Sequence, residues 1–144
     1  AQRFAATLLD PAAIAADGVL NLMRATFHPQ GLRRFISNWD LVGPMLLSGL
    51  ERDIARSPGD DVLATLLAEM RAHMQSDGAL VDPAGALLVP LRYEVGADRF
   101  ELFTTIATID APLDVTVSEL RIETVWPADR GADDAWRRFL AAAQ

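Results

Sequence analysis

The segment from Phe100 to Trp126 constrains the fold most, because no other part of the chain is as rich in Thr, Ile, Val and aromatic residues. These residue types favour β-strands, and a turn-forming segment at 111–114 divides the stretch in two. Gly96-Ala97-Asp98 indicates a short hairpin connection to a preceding strand. The sequence therefore predicts three consecutive antiparallel strands, over residues 87–95, 99–109 and 115–126.

The residues before position 80 have helical periodicity. Pro44 is compatible with a helix only in the first turn, so the helix around it is expected to become regular near Gly43. The predicted helices cover residues 19–27, 40–56 and 60–74, and a last helix covers 132–143. In that last helix the residues expected to face inward are Trp136, Phe139 and Leu140. Together these elements predict an α+β fold: an antiparallel meander of three or more strands, covered by N-terminal helices and followed by a C-terminal helix.

Length and composition limit the possible functions. A chain of 144 residues predicts a single domain spanning 1–144, and the absence of Cys excludes disulfides and thiolate metal sites. The net charge of −7, with no Lys, argues against direct binding to nucleic acid or to an anionic membrane. No stretch reaches the ~18 apolar residues of a membrane span, and no signal peptide is evident. A cytoplasmic location is therefore expected.

No catalytic or metal-binding motif is visible. His28 and His73 each lie near the end of a predicted helix, and no spacing brings them together, so the favoured interpretation is a favourable contact with the helix dipole. The chain has no G-x-S-x-G elbow and no Gly-rich phosphate loop. The sequence therefore predicts no enzyme activity.

Two polar features of the predicted sheet allow alternative interpretations. Glu119, Arg121 and Glu123 share one strand face. Arg121 either holds an anionic head group, or belongs to a solvated face with cross-strand pairs to Arg92 or Glu94. Thr residues in the central strand either anchor a ligand inside an apolar cavity or reflect strand propensity alone.

The aromatic and Met side chains of the helices fall at helical spacing. Such residues usually form a packed core, although Met-lined surfaces also suit adaptable ligand cavities. The residues concerned are Phe27, Phe35, Trp39, Met45, Met70 and Met74.

Four sequence blocks, in this order, resemble the MmyB-like transcription-regulator ligand-binding domain. They are Asn21–Pro29, Gly31–Trp39, Phe103–Thr116 and Glu119–Asp129. That domain is the C-terminal half of many bacterial regulators with an Xre-type helix-turn-helix, and the resemblance covers residues 15–140. The chain departs from the family at its start, since it opens in helix-prone Arg3 to Leu9 instead of strands. A fragment that lacks the first strands and the helix-turn-helix is therefore expected.

The resemblance implies a PAS-like fold with a lipophilic cavity between helices and sheet, and a small fatty-acid-like ligand with no other cofactor. It implies DNA binding only through the absent helix-turn-helix. A homodimer is expected, because an incomplete sheet leaves an exposed edge and such regulators usually read two half-sites.

The predicted pocket lies between the helices at 19–27, 40–56 and 60–74 and the sheet. Its predicted walls are Phe27, Trp39, Leu46, Leu50, Leu66, Met70, Phe103 and Ile106, and either Thr105 or Arg121 would hold a head group. The alternatives are a ligand-free dimerisation module, with the cavity filled by its own side chains, and a small hydrolase.

Overall fold

The computed structural model describes residues 21–74, 89–108 and 121–142. The predicted N-terminal helical segment, the first residues of the predicted strands at 87–95 and 115–126, and Glu119 lie outside this part of the chain. The described helices are α1 (Leu22–Phe27), a 3-10 helix (Leu32–Phe35), α2 (Trp39–Arg56), α3 (Asp61–Met74) and α4 (Arg130–Ala142). The strands are β1 (Leu91–Val95), β2 (Asp98–Thr108) and β3 (Arg121–Pro127).

The three strands form an antiparallel meander in the order β1-β2-β3, so the predicted α+β fold is confirmed. A two-residue turn joins β1 to β2, and Gly96 adopts a positive φ of 61° there, which a residue with a side chain rarely adopts. β1 begins directly after Pro90, which has no amide proton to donate to a sheet. Within the described residues, no helix is long and apolar enough to cross a membrane.

Helix α2 begins at Trp39, so the expected start near Gly43 is wrong and Pro44 lies inside the helix. The carbonyl of Asn38 accepts from the amides of Leu41 and Val42, both at 3.1 Å, so the first turn closes before the proline is reached. Pro44 removes only the hydrogen bond to the carbonyl of Asp40. Asp40 is exposed, so water can hydrogen-bond to that carbonyl instead.

The segment before α2 lies along the outer edge of β1. The backbone of Ser37 donates to the carbonyl of Arg92 at 2.8 Å. Asn38 does not cap α2 with its side chain; its Nδ2 donates to the carbonyl of Pro90 at 2.8 Å, and its Oδ1 accepts from the amide of Arg92 at 3.0 Å. The side chain of Asn38 is 7% exposed. This buried amide therefore occupies the hydrogen-bonding positions of a neighbouring strand and covers an edge that would otherwise be open.

The described core has two parts. The sheet cluster packs one face of the sheet against α4, where the ring of Phe100 lies 5.4 Å from Trp136 and 5.7 Å from Phe139. Its buried members are Ala25, Leu32, Ile36, Val42, Tyr93, Phe100, Leu102, Ala132, Ala135 and Phe139. The predicted inward face of the last helix, including Leu140, is thereby confirmed. The helical cluster joins α1, α2 and α3. Its buried members are Phe27, Leu47, Leu50, Leu66, Met70 and Met74.

Tyr93 lies in the sheet cluster, stacked on Phe100 with ring centroids 5.6 Å apart. Burial raises the pKa of its phenol well above the ordinary value, and the carboxylate of Glu123 raises it further. The chain has one Tyr and neither Cys nor Lys. Tyr93 is therefore the one side chain whose ordinary pKa lies between that of the α-amino group and that of Arg.

Replacing Asn38 by Ala should lower the free energy of unfolding by about 1–3 kcal/mol, because the partly buried carbonyl of Pro90 and amide of Arg92 lose their hydrogen-bond partners. Ser37→Ala is the matched control, since Ser37 Oγ donates only an exposed 3.3 Å hydrogen bond to the same Arg92 carbonyl. Urea unfolding of both variants measures the difference. Equal midpoints for the two variants would mean that Asn38 does not hold the edge.

The free energy of unfolding should fall above about pH 10, by about 1.4 kcal/mol per pH unit, because the unfolded chain loses the phenol proton while the native state keeps it. Below the pKa of Tyr93 in the unfolded chain, the phenol is protonated in both states, and its contribution to the free energy of unfolding is fully present. Urea titrations across the alkaline range measure the slope, and Tyr93→Phe should abolish it. Tyrosinate absorbance that appears at the ordinary pKa while the protein stays folded would contradict the prediction.

Candidate ligand-binding site

The three helices bring together the predicted pocket residues that they carry. Phe27 and Met70 are 0% exposed, and the Trp39 ring packs edge-on against Phe27 with centroids 5.0 Å apart. Trp39 and Leu46 are partly buried and pack against both the helical and the sheet clusters. The predicted residues that meet in the helical cluster are Phe27, Trp39, Leu46, Leu50, Leu66 and Met70.

Local sequence explains why these faces meet. The side chain of Asn21 caps α1, accepting from the amide of Arg24 at 3.1 Å. Asp60 Oδ1 caps α3 by accepting from the amides of Val62 and Leu63, both at 3.0 Å. The caps fix where each helix begins, and the i, i+3 and i, i+4 spacing then directs one apolar row of each helix inward. The row from α3 is Leu63, Leu66, Leu67, Met70 and Met74.

Methionine makes one wall of the helical cluster adaptable. Met70 and Met74 are buried in it and Met23 packs against it, so three of the four Met residues lie here. Gly43 lets the end of the Met74 side chain lie against the backbone of α2, because a Cβ at that position would be 2.7 Å from Met74 Cε. Unbranched thioether side chains change conformation at low cost, so this wall can alter its shape without moving a helix.

Ion pairs lie at the rim of the cluster. Arg24 Nε is 2.9 Å from Glu69 Oε2 and joins α1 to α3, while Arg71 Nη2 is 2.6 Å from Glu51 Oε1 and joins α3 to α2. All four side chains are about one-third exposed or more, so each pair contributes at most about 1 kcal/mol. The pairs orient the helices, while apolar burial supplies most of the stability.

His28 and His73 lie together, which the sequence analysis did not predict. Their ring centroids are 5.9 Å apart, one helical turn beyond the Arg24–Glu69 pair. His28 Nδ1 accepts from the amide of Gln30 at 3.1 Å, and Arg33 donates to the carbonyl of His73 at 3.2 Å. In the sequence, the only indication is that His28 and His73 follow Arg24 and Glu69, respectively, by four residues. That spacing predicts a contact only when α1 is already known to pack on α3. The described residues contain no group of three potential metal ligands.

Phe103 and Thr105 are not brought together with the helical residues. Phe103 pairs with Trp126 across the sheet, and Trp126 Nε1 donates to Thr105 Oγ1 at 3.1 Å. Because side chains alternate along a strand, both point away from the face that carries Phe100 and Leu102. That face is the one packed on α4, so Phe103 and Thr105 lie on the outer face of the sheet.

Ile106 and Arg121 lie in the sheet, opposite Glu123 and Thr108 respectively, at positions that share the face of Phe100. Their side chains are outside the described part, and their role in a pocket stays a prediction.

The alternative interpretation, in which the β3 charges form cross-strand pairs with Arg92 or Glu94, is wrong, because β2 separates β1 from β3. Arg92 instead pairs with Glu101, with Arg92 Nε 2.9 Å from Glu101 Oε1. Glu94 pairs with Arg99, with Arg99 Nε 3.6 Å from Glu94 Oε1. Both ion pairs lie on the outer face, opposite the face of Arg121 and Glu123.

The comparison with protein families gives one result. A family model described as the MmyB-like transcription regulator ligand binding domain matches residues 1–139. Neither the curated proteins nor the solved structures that were searched include a match to this chain.

Gly43→Ala and Gly49→Ala should separate helix propensity from packing in α2. Each gains up to about 1 kcal/mol of helix propensity. Gly49 has only Arg52 Nη2 nearby, at 3.8 Å, whereas a Cβ at Gly43 would displace the buried end of Met74. Urea unfolding should therefore find Gly43→Ala less stable than Gly49→Ala by about 1 kcal/mol or more. Equal stability of the two variants would mean that the Met74 side chain changes conformation at little cost in free energy.

Proposed function

Because the chain belongs to the family of MmyB-like transcription regulator ligand binding domains, we propose that it senses a small lipophilic, fatty-acid-like molecule for a bacterial DNA-binding regulator. The family consists of regulatory ligand-binding domains and is not an enzyme family. We infer that the domain performs no catalysis. As part of a regulator that acts on DNA, it would work in the cytoplasm.

The convergence of Phe27, Leu50, Leu66 and Met70 from three helices supports placing the ligand in the helical cluster. The cluster contains none of the described sheet residues, so a ligand can enter it without breaking β-pairing. An alkyl chain that takes the place of flexible Met side chains gains about 0.8 kcal/mol for each methylene it buries. Such a ligand needs no polar motif, which agrees with the absence of one from the sequence.

We retain Arg121 as the candidate for the head group. A guanidinium binds a carboxylate through two parallel hydrogen bonds. Arg121 and Thr105 cannot serve the same ligand, because the β2–β3 register puts them on opposite faces of the sheet. Position 121 shares the sheet face of Phe100, whereas Thr105 is on the outer face.

Trp39 offers a route from the ligand to the rest of the domain. It packs against both clusters, and it follows Asn38, whose side chain holds the edge of β1. A ligand that displaces Trp39 from Phe27 would therefore shift the start of α2 and act on β1 through the Asn38 hydrogen bonds. Occupancy of the helical cluster would in this way change the sheet.

The second candidate is a dimerisation module that binds no ligand. The observation in its favour is that Phe27 and Met70 already fill the helical cluster, each being 0% exposed. In this alternative the methionines serve packing alone.

The sensor predicts uptake of long-chain fatty acids by the purified, delipidated protein. Affinity should rise by about fourfold for each added methylene, since ~0.8 kcal/mol corresponds to that factor, until the cluster is filled. Displacement of a fluorescent fatty acid by saturated acids of increasing length measures the series. Met70→Trp, which occupies the space proposed for the ligand, should weaken uptake at least tenfold.

Phe103→Asp is the matched control, because Phe103 lies on the outer face and its replacement should leave uptake unchanged. Both variants need circular dichroism spectra that match the parent. Uptake lost in Phe103→Asp but kept in Met70→Trp would move the ligand to the sheet. No uptake of any chain length, together with no co-purified lipid in native mass spectrometry, would favour the dimerisation module.

A further inference from the structure

We propose that two copies of this chain pair through the outer face of the sheet. Two of the large apolar side chains most exposed in the described part lie there: Ile122 is 54% exposed and Trp126 is 49% exposed. Phe103 lies beside Trp126, and the exposed Ala107 is opposite Ile122, so two apolar pairs lie on this face of β2 and β3 with the Thr105–Thr124 pair between them. These apolar pairs lie on the opposite side of the sheet from α4 and the helical cluster, so the pairing of two copies does not depend on ligand binding.

The charges of the outer face suit a second copy. The chain has a net charge of −7, so two copies repel one another over most of their surfaces. The outer face is an exception, since its four described charges sum to zero. They form the ion pairs Arg92–Glu101 and Arg99–Glu94, at the β1 end of the face.

A two-fold axis explains how such a face is self-complementary. It can place the apolar pairs of one copy on those of the other and bring the neutral charged ends together without net repulsion. A partner with a strongly basic surface would gain no net attraction at a face whose described charges sum to zero. The charge distribution therefore favours another copy of the chain as the occupant.

The size of the face sets the strength of the pairing. Seven residue pairs between β2 and β3 give a length of roughly 24 Å, and three strands give a width of roughly 14 Å. The resulting area of about 350 Å² is below the ~800 Å² per partner of a stable interface. The pair should therefore be weak and reversible in the isolated domain. In a complete regulator, DNA-binding domains on adjacent half-sites would strengthen it by raising the effective concentration.

Sedimentation equilibrium of the 144-residue chain and two matched variants tests the surface. Ile122→Glu adds a charge to the outer face and should raise the dimer dissociation constant at least tenfold. Val62→Glu makes a comparable apolar-to-acid change at a side chain that is 77% exposed on α3, and should leave the constant nearly unchanged. A monomer at the highest attainable concentration, or equal effects of the two variants, would overturn the proposal.

A cross-linking experiment identifies the face directly, because the chain has no Cys of its own. A short bismaleimide should link Ile122→Cys into covalent dimers and leave Val62→Cys monomeric. If the thiol introduced by Ile122→Cys resists a small alkylating reagent in a monomeric sample, another part of the same chain covers the face, and that result would also overturn the proposal.

Discussion

The buried amide of Asn38 connects the two halves of the described structure. Its Nδ2 and Oδ1 bind the backbone of Pro90 and Arg92, and the neighbouring Ser37 amide adds a third hydrogen bond to the same strand. An edge strand must be paired or protected, and here a side chain protects it. Because Asn38 immediately precedes α2, these bonds fix where that helix begins relative to the sheet. The position of Trp39, and with it the boundary between the two clusters, follows from this attachment.

The division of the core gives the two clusters different properties. The sheet cluster is built around stacked and edge-on aromatic rings, with Phe100 between Tyr93 and the α4 residues Trp136 and Phe139. Aromatic rings have few rotamers and preferred packing angles, so this half is specific in shape. The helical cluster instead contains Met70 and Met74, whose side chains accommodate changes in the space around them. A rigid sheet beside an adaptable helical cluster is a suitable arrangement for a sensor, because the methionine wall can adapt to a ligand while the sheet responds as one unit through Trp39 and Asn38.

Local periodicity in the sequence predicts the elements whose burial repeats regularly along the chain. The apolar rows of α2 and α3 were visible because burial repeats every three or four residues, and their convergence with Phe27 followed from helix breaks at 28–31 and 57–60. The same periodicity does not predict which face of β2 is covered, since both faces carry apolar residues and hydroxyls. Phe103 was therefore grouped with the helices although it lies on the outer face. The meeting of His28 with His73 likewise depends on how α1 packs on α3, and no local pattern encodes that packing.

The wrong prediction for the start of α2 shows that tertiary contacts can outweigh the local preference against Pro inside a helix. Proline disfavours an interior helical position because it removes a hydrogen bond and crowds the preceding turn. Here the hydrogen bonds from Leu41 and Val42 to Asn38 establish the first turn, and the carbonyl left without a helical donor belongs to the exposed Asp40. The local cost, about 3 kcal/mol for Pro in a helix interior, is offset by the burial of Val42, Leu47 and Leu50, at roughly 1.5–3 kcal/mol each. The early start of the helix also brings Trp39 against Phe27. The same attachment that fixes the sheet edge thus makes an unfavourable helix start acceptable, and it places Trp39 where it contacts both clusters.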